Sequence, residues 1–302
     1  MEGKAAREPG DERKRLARTK LLAAAMQARA ERLENRAQAE RKRHDSVDVV
    51  FEMVDRDSEV GGGIIAGALA YRFFIWLLPL ALVAVAGVGL AAESANESPE
   101  ETADSVGLAG LISDSVAGAA ESPNRWYALL VGIPVLLWTT RSLLRALIGA
   151  HRLVWTDLRS AAPKATVVGT VRLLALLLGL LLVSVFASAV RAWSGGTGLV
   201  STLLVAAPYA GIWLLASLRL PHRGAPWKAL VPGALAFGIG LELLNIVAAY
   251  VIAPWAINKQ GTYGALGAAA ALLLALFFFS RLLVGAAVLN ATLWERSARA
   301  KA

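Results

Sequence analysis

Apolar and polar residues are distributed very unevenly along the chain. Residues 1–60 are mostly polar, whereas nearly everything after residue 63 consists of apolar blocks joined by short polar loops. A helix needs about 20 mostly apolar residues to cross the hydrocarbon layer of a bilayer. Six blocks reach that length, which predicts an all-α polytopic membrane protein. Its six-helix membrane domain covers residues 61–292, with spans at about 64–91, 127–148, 167–190, 199–218, 229–253 and 263–290.

The polar N-terminal part is predicted to contain two helical segments. Residues 1–45 form a charged cytoplasmic extension, in which the abundant Ala, Glu, Arg and Lys all favour helix. A heptad of Leu and Ala positions in this extension leaves a coiled coil open beside a solvated helix. Over residues 46–60, apolar side chains recur at i, i+3, i+4 and i+7. This spacing predicts an interfacial amphipathic helix that lies on the inner leaflet or packs against the protein.

The distribution of Lys and Arg orients the predicted spans. Eleven of these residues lie in the segments 141–166, 219–228 and 296–301, whereas the loops on the opposite side hold only three. Basic loops stay on the cytoplasmic side of a membrane. Both termini are therefore predicted to be cytoplasmic, with residues 293–302 as a short cytoplasmic tail.

The net charge of +8 does not indicate a nucleic-acid-binding protein. Residues 1–60 hold 14 Lys and Arg against 13 Asp and Glu, so the excess lies in the membrane part, where it sets orientation. The absence of cysteine excludes disulfides, thiolate metal sites and cysteine nucleophiles. The three histidines are scattered, and no nucleotide-binding or zinc-binding motif is present. The sequence therefore predicts no enzyme, no cofactor and no metal site.

Three ionisable residues lie well inside predicted spans, namely Arg72, Glu242 and Arg281. Such residues usually face the interior of a helix bundle and pair with one another. The two arginines should lie at similar depth, with Glu242 about 7 Å deeper at 1.5 Å of rise per residue. We therefore expect an intramembrane charge cluster, with Tyr71 and Asn245 as supporting hydrogen-bond partners. The cluster could be a structural lock or a substrate or proton site, and the remaining alternative is that Arg72 snorkels to the headgroups.

Two further sets of residues are candidates for a role in the membrane. One set lies near the inner ends of the spans, where arginines are expected to contact the phosphates of the inner leaflet. These arginines are Arg141, Arg145 and Arg172. The other set consists of prolines inside spans, each of which frees one backbone carbonyl and predicts a helix kink that can line a cavity. These prolines are Pro79, Pro134 and Pro208.

Four motifs, in order along the chain, resemble those of a known family. They are AGALAYRFFIWLLPL at 66–80, ALIGAHRLVW at 146–155, the segment 227–251 with Pro232-Gly233-Ala234, and the segment 262–291 with Tyr263-Gly264-Ala265 and Asn290. Together they resemble the YihY/BrkB family of bacterial inner-membrane proteins, over about residues 45–295. The resemblance implies six transmembrane helices, a multi-pass location in the bacterial inner membrane, and transport of a lipid or another amphiphile.

Two functions remain open from the sequence. A transporter or flippase of a lipid-like or amphiphilic anion would account for the buried charges and the kinked spans, with membrane lipids as partners. A non-transporting scaffold that maintains the envelope would leave the charges structural, and either protein could be a homo-oligomer. A ribonuclease, a name once given to members of the family, would need clustered acids or histidines on a cytoplasmic face, which the sequence does not offer. A water-lined cavity that reaches Glu242 would favour transport, whereas tight apolar packing would favour the scaffold.

Overall fold

The computed structural model describes most of the predicted membrane domain. The described residues are 45–95, 125–156, 163–193, 199–248 and 265–301, together with Met26 and Arg29. Most of the predicted extension over residues 1–45 therefore lies outside the described residues. By its internal contacts the chain divides into two units, Met1–Val54 and Asp55–Ala302.

Every regular element in the described residues is an α-helix. This agrees with the predicted all-α class, because the apolar blocks are much too long for strands and are rich in Leu and Ala, which favour helix. The helices are α1 Asp45–Glu59, α2 Gly62–Ala95, α3 Arg125–Val154, α4 Val167–Trp193, α5 Leu199–Ser217, α6 Trp227–Val247 and α7 Ala265–Arg299.

Five of these helices are long and apolar enough to cross a membrane, whereas the sequence predicts six spans. They are Gly62–Leu90, Trp126–Val154, Val167–Ala187, Trp227–Val247 and Ala269–Arg299. The predicted fourth span corresponds to α5, a helix of 19 residues. Within α5, the residues Leu204–Ser217 form an apolar segment that is shorter than the five candidate spans. At 1.5 Å of rise per residue, the 19 residues of α5 extend about 28 Å, close to the roughly 30 Å of the hydrocarbon layer.

The boundaries at the two ends of the membrane domain differ from the predicted ones. Helix α1 begins at Asp45 and ends at Glu59, close to the predicted 46–60. Within the first unit, Val50 and Val54 on this helix are exposed, and contact of this face with a leaflet stays a prediction. Helix α7 continues to Arg299, so most of the predicted tail 293–302 is helical, and its cytoplasmic location stays a prediction. Arg296 and Arg299 lie in its last turn, where cations favour the negative end of the helix dipole.

Helix α7 lies at the centre of the packing in the second unit. It contacts α2 and α6 extensively and α3 to a smaller extent, while α2 packs on α3 and α5 packs on α6. Two glycines of α6 allow close approach to neighbouring backbones. A Cβ atom at Gly233 would overlap the carbonyl oxygen of Ala286 on α7, and one at Gly238 would overlap that of Ala206 on α5. Small residues at such positions are typical of helix contacts in membranes.

The predicted kink prolines all lie inside helices. Pro79 is in α2, Pro134 is in α3 and Pro208 is in α5. Pro232 is a further proline inside a helix, in α6. Helical structure continues on both sides of each proline, and the bending of these helices stays a prediction.

Candidate functional site

The predicted charge cluster is not assembled as expected, because Arg281 has another partner. Its two terminal nitrogens donate to the two carboxylate oxygens of Asp57 at 2.9 and 3.0 Å. Asp57 is close enough because the chain turns sharply between α1 and α2, where Gly61 has a φ of 66°. Gly62 leaves the space for this carboxylate, since a Cβ atom there would overlap it. Arg281 thus has a carboxylate partner that the sequence did not predict, and its pairing with Glu242 stays a prediction.

Arg72 and Glu242 also occupy different surroundings. Arg72 is exposed and its guanidinium donates to the hydroxyl of Ser142 on α3. Glu242 is buried, with 1% of its surface exposed. The estimate of depth from the sequence considered only the membrane spans. It did not include α1, and the turn between α1 and α2 places Asp57 of α1 beside Arg281.

The two predicted supporting residues are also separated. Tyr71 is exposed, so it does not support a buried cluster. The amide of Asn245 donates to the hydroxyl of Tyr209 at 3.1 Å, and that hydroxyl lies 2.8 Å from the hydroxyl of Ser184. These bonds link α6, α5 and α4. Asn245 thus joins three helices through neutral hydrogen bonds and does not contact the arginines.

A second charged contact, which the sequence did not predict, fastens the end of α1. Arg56 donates through Nε and one terminal nitrogen to the carbonyl oxygen of Val154, at 3.0 and 2.7 Å. Its terminal nitrogens also bind the Glu295 carboxylate at 2.7 and 2.9 Å. Arg223 approaches the same carboxylate at 3.6 Å. The sequence could have pointed to Glu295 as the partner of a cation, because it is the only acidic residue in the sequence after Glu242.

A cavity with room for a ligand lies at the end of α5 and the start of α4. Its volume is about 200 Å³. Apolar side chains form most of its wall, and three cations, Lys164, Arg172 and Arg219, complete it. The remaining lining residues are Leu144, Ile148, Pro163, Thr166, Gly169, Leu173, Leu176, Ala216 and Leu220. No carboxylate lines it within the described part of the chain, so the cavity combines positive charge with apolar surface.

The short segment before α4 shapes this cavity. The hydroxyl of Thr166 accepts the N–H of Gly169 at 3.0 Å and so caps the start of α4. Arg141 donates from Nε to the carbonyl oxygen of Ala165 at 3.2 Å, which ties the same segment to α3. A Cβ atom at Gly169 would approach Leu144 to 3.2 Å, so this glycine keeps α4 close to α3.

The three arginines predicted to contact lipid differ in position. Arg172 lines the cavity, Arg141 holds the segment beside it, and Arg145 is exposed and does not line it. Contact of any of them with lipid phosphate stays a prediction. The sequence analysis did not single out Lys164 or Arg219 as site residues, because they lie in loops whose charges were used only to assign orientation.

The middle of the bundle is filled by aromatic rings. The centroids of Trp213 and Phe237 lie 5.1 Å apart, and those of Phe73 and Phe279 lie 5.1 Å apart. The apolar space beside these rings has a volume of only about 30 Å³. Glu242 does not line the cationic cavity. The cationic cavity therefore offers more room than the space beside these rings.

Comparison with known proteins places the chain in one family. The family model described as Virulence factor BrkB matches residues 54–302. No curated protein and no solved structure matches the chain. The match includes α2 to α7 and the residues of the cationic cavity, and it agrees with the resemblance noted in the sequence. The chain is therefore a membrane protein that belongs to the BrkB (YihY) family.

Proposed function

We propose that this protein moves a lipid-like, amphiphilic anion out of the cytoplasmic leaflet and that the cationic cavity is where the anion enters. The observation that carries the proposal is the combination of Lys164, Arg172 and Arg219 with leucine-lined walls in one cavity. Each Lys or Arg near an anionic membrane surface contributes about 1 kcal/mol of attraction. An amphiphile needs both features, since its headgroup requires the charge and its acyl chain requires the apolar wall.

The proposal includes an orientation. We propose six spans in the bacterial inner membrane with both termini in the cytoplasm, α5 being the fourth span. The cavity then opens at the cytoplasmic leaflet, because the basic segments before α4 and after α5 lie on that side. Leu173 and Leu176 follow Arg172 along α4, deeper in the membrane, and would guide the acyl chain.

Reconstituted protein tests the proposal directly. Liposomes that contain the purified chain should exchange several fluorescent anionic lipids between leaflets faster than empty liposomes do. Arg172→Gln should slow this exchange by about fivefold, the effect of one surface cation. Lys228→Gln is the control, because Lys228 is also an exposed cation but does not line the cavity. Equal rates with and without protein would reject transport.

A membrane scaffold is the second candidate. The close ring packing around Phe237 favours it, as do the ion pairs Arg281–Asp57 and Arg56–Glu295 that fasten α1 to α7. Such contacts make a rigid bundle with little space in its middle. If the liposome exchange is absent while envelope integrity still depends on the protein in cells, the scaffold is the better description.

A further inference from the structure

We infer that the cationic cavity selects a lipid with a small, doubly charged phosphate monoester headgroup over lipids whose phosphate is a diester. The inference rests on the proposed function, since it names the class of anion that the same cavity takes. It follows from the charge of the cavity and from its size.

A ligand headgroup with one negative charge would not neutralise the positive charge of the cavity. Lys164, Arg172 and Arg219 bring three positive charges to its wall, and the start of α4 adds the positive end of a helix dipole. In the described part of the chain, no carboxylate lies within salt-bridge distance of these three side chains, and Asp157 and Arg159 lie outside it. A phosphate monoester carries about −1.5 to −2 charges at pH 7. A phosphodiester carries one, so it leaves more of the cavity charge uncompensated.

The size of the cavity limits the headgroup. Pockets for drug-sized ligands have volumes of about 300–1,000 Å³, whereas this cavity has about 200 Å³. A bare phosphate group fits such a space, but a sugar-bearing headgroup would have to protrude from it. Leu173 and Leu176 supply an apolar wall on one side, so the lipid chains can lie along α4. The preferred ligand is therefore of the phosphatidate type.

The pH dependence of binding separates ligand charge from protein charge. The second pKa of a phosphate monoester is near 6, so its charge falls when the pH is lowered from 7.5 to 5.5. The lining cations are Lys and Arg, side-chain types whose ordinary pKa values lie far above this pH range. Other charged or titratable groups on the surrounding elements are Arg141, Arg145, His151, Arg152, His222 and Arg223. Protonation of a histidine would add positive charge and strengthen anion binding, which is opposite to the loss expected here.

The experiment measures binding to the full-length protein in detergent micelles by calorimetric titration. The probes are dioctanoyl phosphatidic acid, dioctanoyl phosphatidylglycerol and inorganic phosphate, each at pH 7.5 and pH 5.5. At pH 7.5 the phosphatidic acid should bind about fivefold more tightly than the phosphatidylglycerol, as expected for one further charge at a cationic surface. At pH 5.5 this preference should largely disappear, while phosphatidylglycerol binding stays constant or rises.

Variants assign the binding to the cavity. Arg172→Gln and Arg219→Gln should each weaken phosphatidic acid binding about fivefold and reduce its advantage over phosphatidylglycerol. Both side chains are exposed, so the substitutions leave the core intact. Lys228→Gln should leave both affinities unchanged, because Lys228 is exposed and does not line the cavity.

Each other outcome has a distinct meaning. Equal affinity for the two lipids, with both weakened by Arg172→Gln, would overturn the monoester preference and leave the proposed lipid-anion function standing. Inorganic phosphate binding as tightly as phosphatidic acid would overturn the preference for a lipid, because the chains would then contribute nothing. A preference that persists in Arg172→Gln and Arg219→Gln would remove the cavity from the explanation. If none of the probes binds, the inference and the proposed function fail together.

Discussion

Gly233 lies where α6 packs directly on the backbone of α7, and a single methyl group there should disrupt this contact. The N–H of Gly233 donates to the Asn290 side chain at 2.7 Å, and the Asn290 amide donates to the carbonyl oxygen of Leu230 at 3.1 Å. Asn290 is buried, with 2% of its surface exposed. Pro232, just before the glycine, lacks an N–H and weakens the regular bonding of α6 at this point. Asn290 therefore bonds to α6 next to this proline.

The cost of Gly233→Ala can be estimated from the atoms that the new Cβ would meet. It would overlap the carbonyl oxygen of Ala286 and lie 2.6 Å from both the amide nitrogen and the amide oxygen of Asn290. A carbonyl oxygen of a helix cannot rotate away, so the two helices must separate. Overpacking of this kind costs about 1–3 kcal/mol, and the Asn290 hydrogen bonds, each worth about 0.6 kcal/mol in membrane helices, would lengthen as well. We expect a loss of roughly 3 kcal/mol.

Thermal unfolding of the purified protein in detergent measures this effect. The apparent Tm of Gly233→Ala should fall by several degrees. Gly285→Ala is the matched control on α7, because no atom lies within 4 Å of its new Cβ. It should leave the Tm unchanged or raise it slightly, since alanine favours helix. An unchanged Tm for Gly233→Ala would refute the close packing of α6 on α7.

Three further predictions concern the charged contact of Asp57 with Arg281 and the topology. Asp57→Asn should destabilise the protein by about 1 kcal/mol, the scale of a partly exposed ion pair, and should have no further effect in an Arg281→Gln background; additive losses in a double-mutant cycle would contradict the pairing. Gly62→Ala should weaken the same contact by displacing the Asp57 carboxylate, which should lower the Tm. In an Arg281→Gln background, where the contact is already lost, Gly62→Ala should not lower the Tm further. In the cysteine-free chain, Ser98→Cys should react with an impermeant thiol reagent added outside intact cells, and Ser297→Cys only after the membrane is opened; the reverse pattern would reject the proposed orientation.

Local sequence patterns predicted the helices well and the contacts between them poorly. The positions of α2, α3, α4 and α6 follow the apolar blocks to within a few residues at most of their ends, because a helix that crosses lipid must be apolar along its length. Helix α7 extends beyond the predicted span because hydropathy marks the end of a membrane span and not the end of a helix. The residues after the span are good helix formers, so the helix continues.

The pairing of charges shows why depth along a span is not sufficient. Arg281 and Glu242 were matched by counting residues, but a count gives no information about which face of each helix is turned toward its neighbour. The turn at Gly61 places Asp57 beside Arg281 instead. The family motif with Pro232-Gly233 and the motif with Asn290 were recognised separately, and only the packing of α6 on α7 shows that they bind each other.

The sequence by itself determined the all-α class of this membrane protein, its long apolar helices and its family, because these depend on composition and spacing along one chain. Its charge pattern also predicts the orientation. The tertiary structure alone decided that Lys164, Arg172 and Arg219 share one cavity, since they come from the segment before α4, from α4 itself and from the turn after α5. Such a site forms only when separate segments pack together, and the packing depends on which side chains fit at each helix contact. The spacing of residues along the chain does not show which side chains fit together at a helix contact, so the cavity could be found only in the structure.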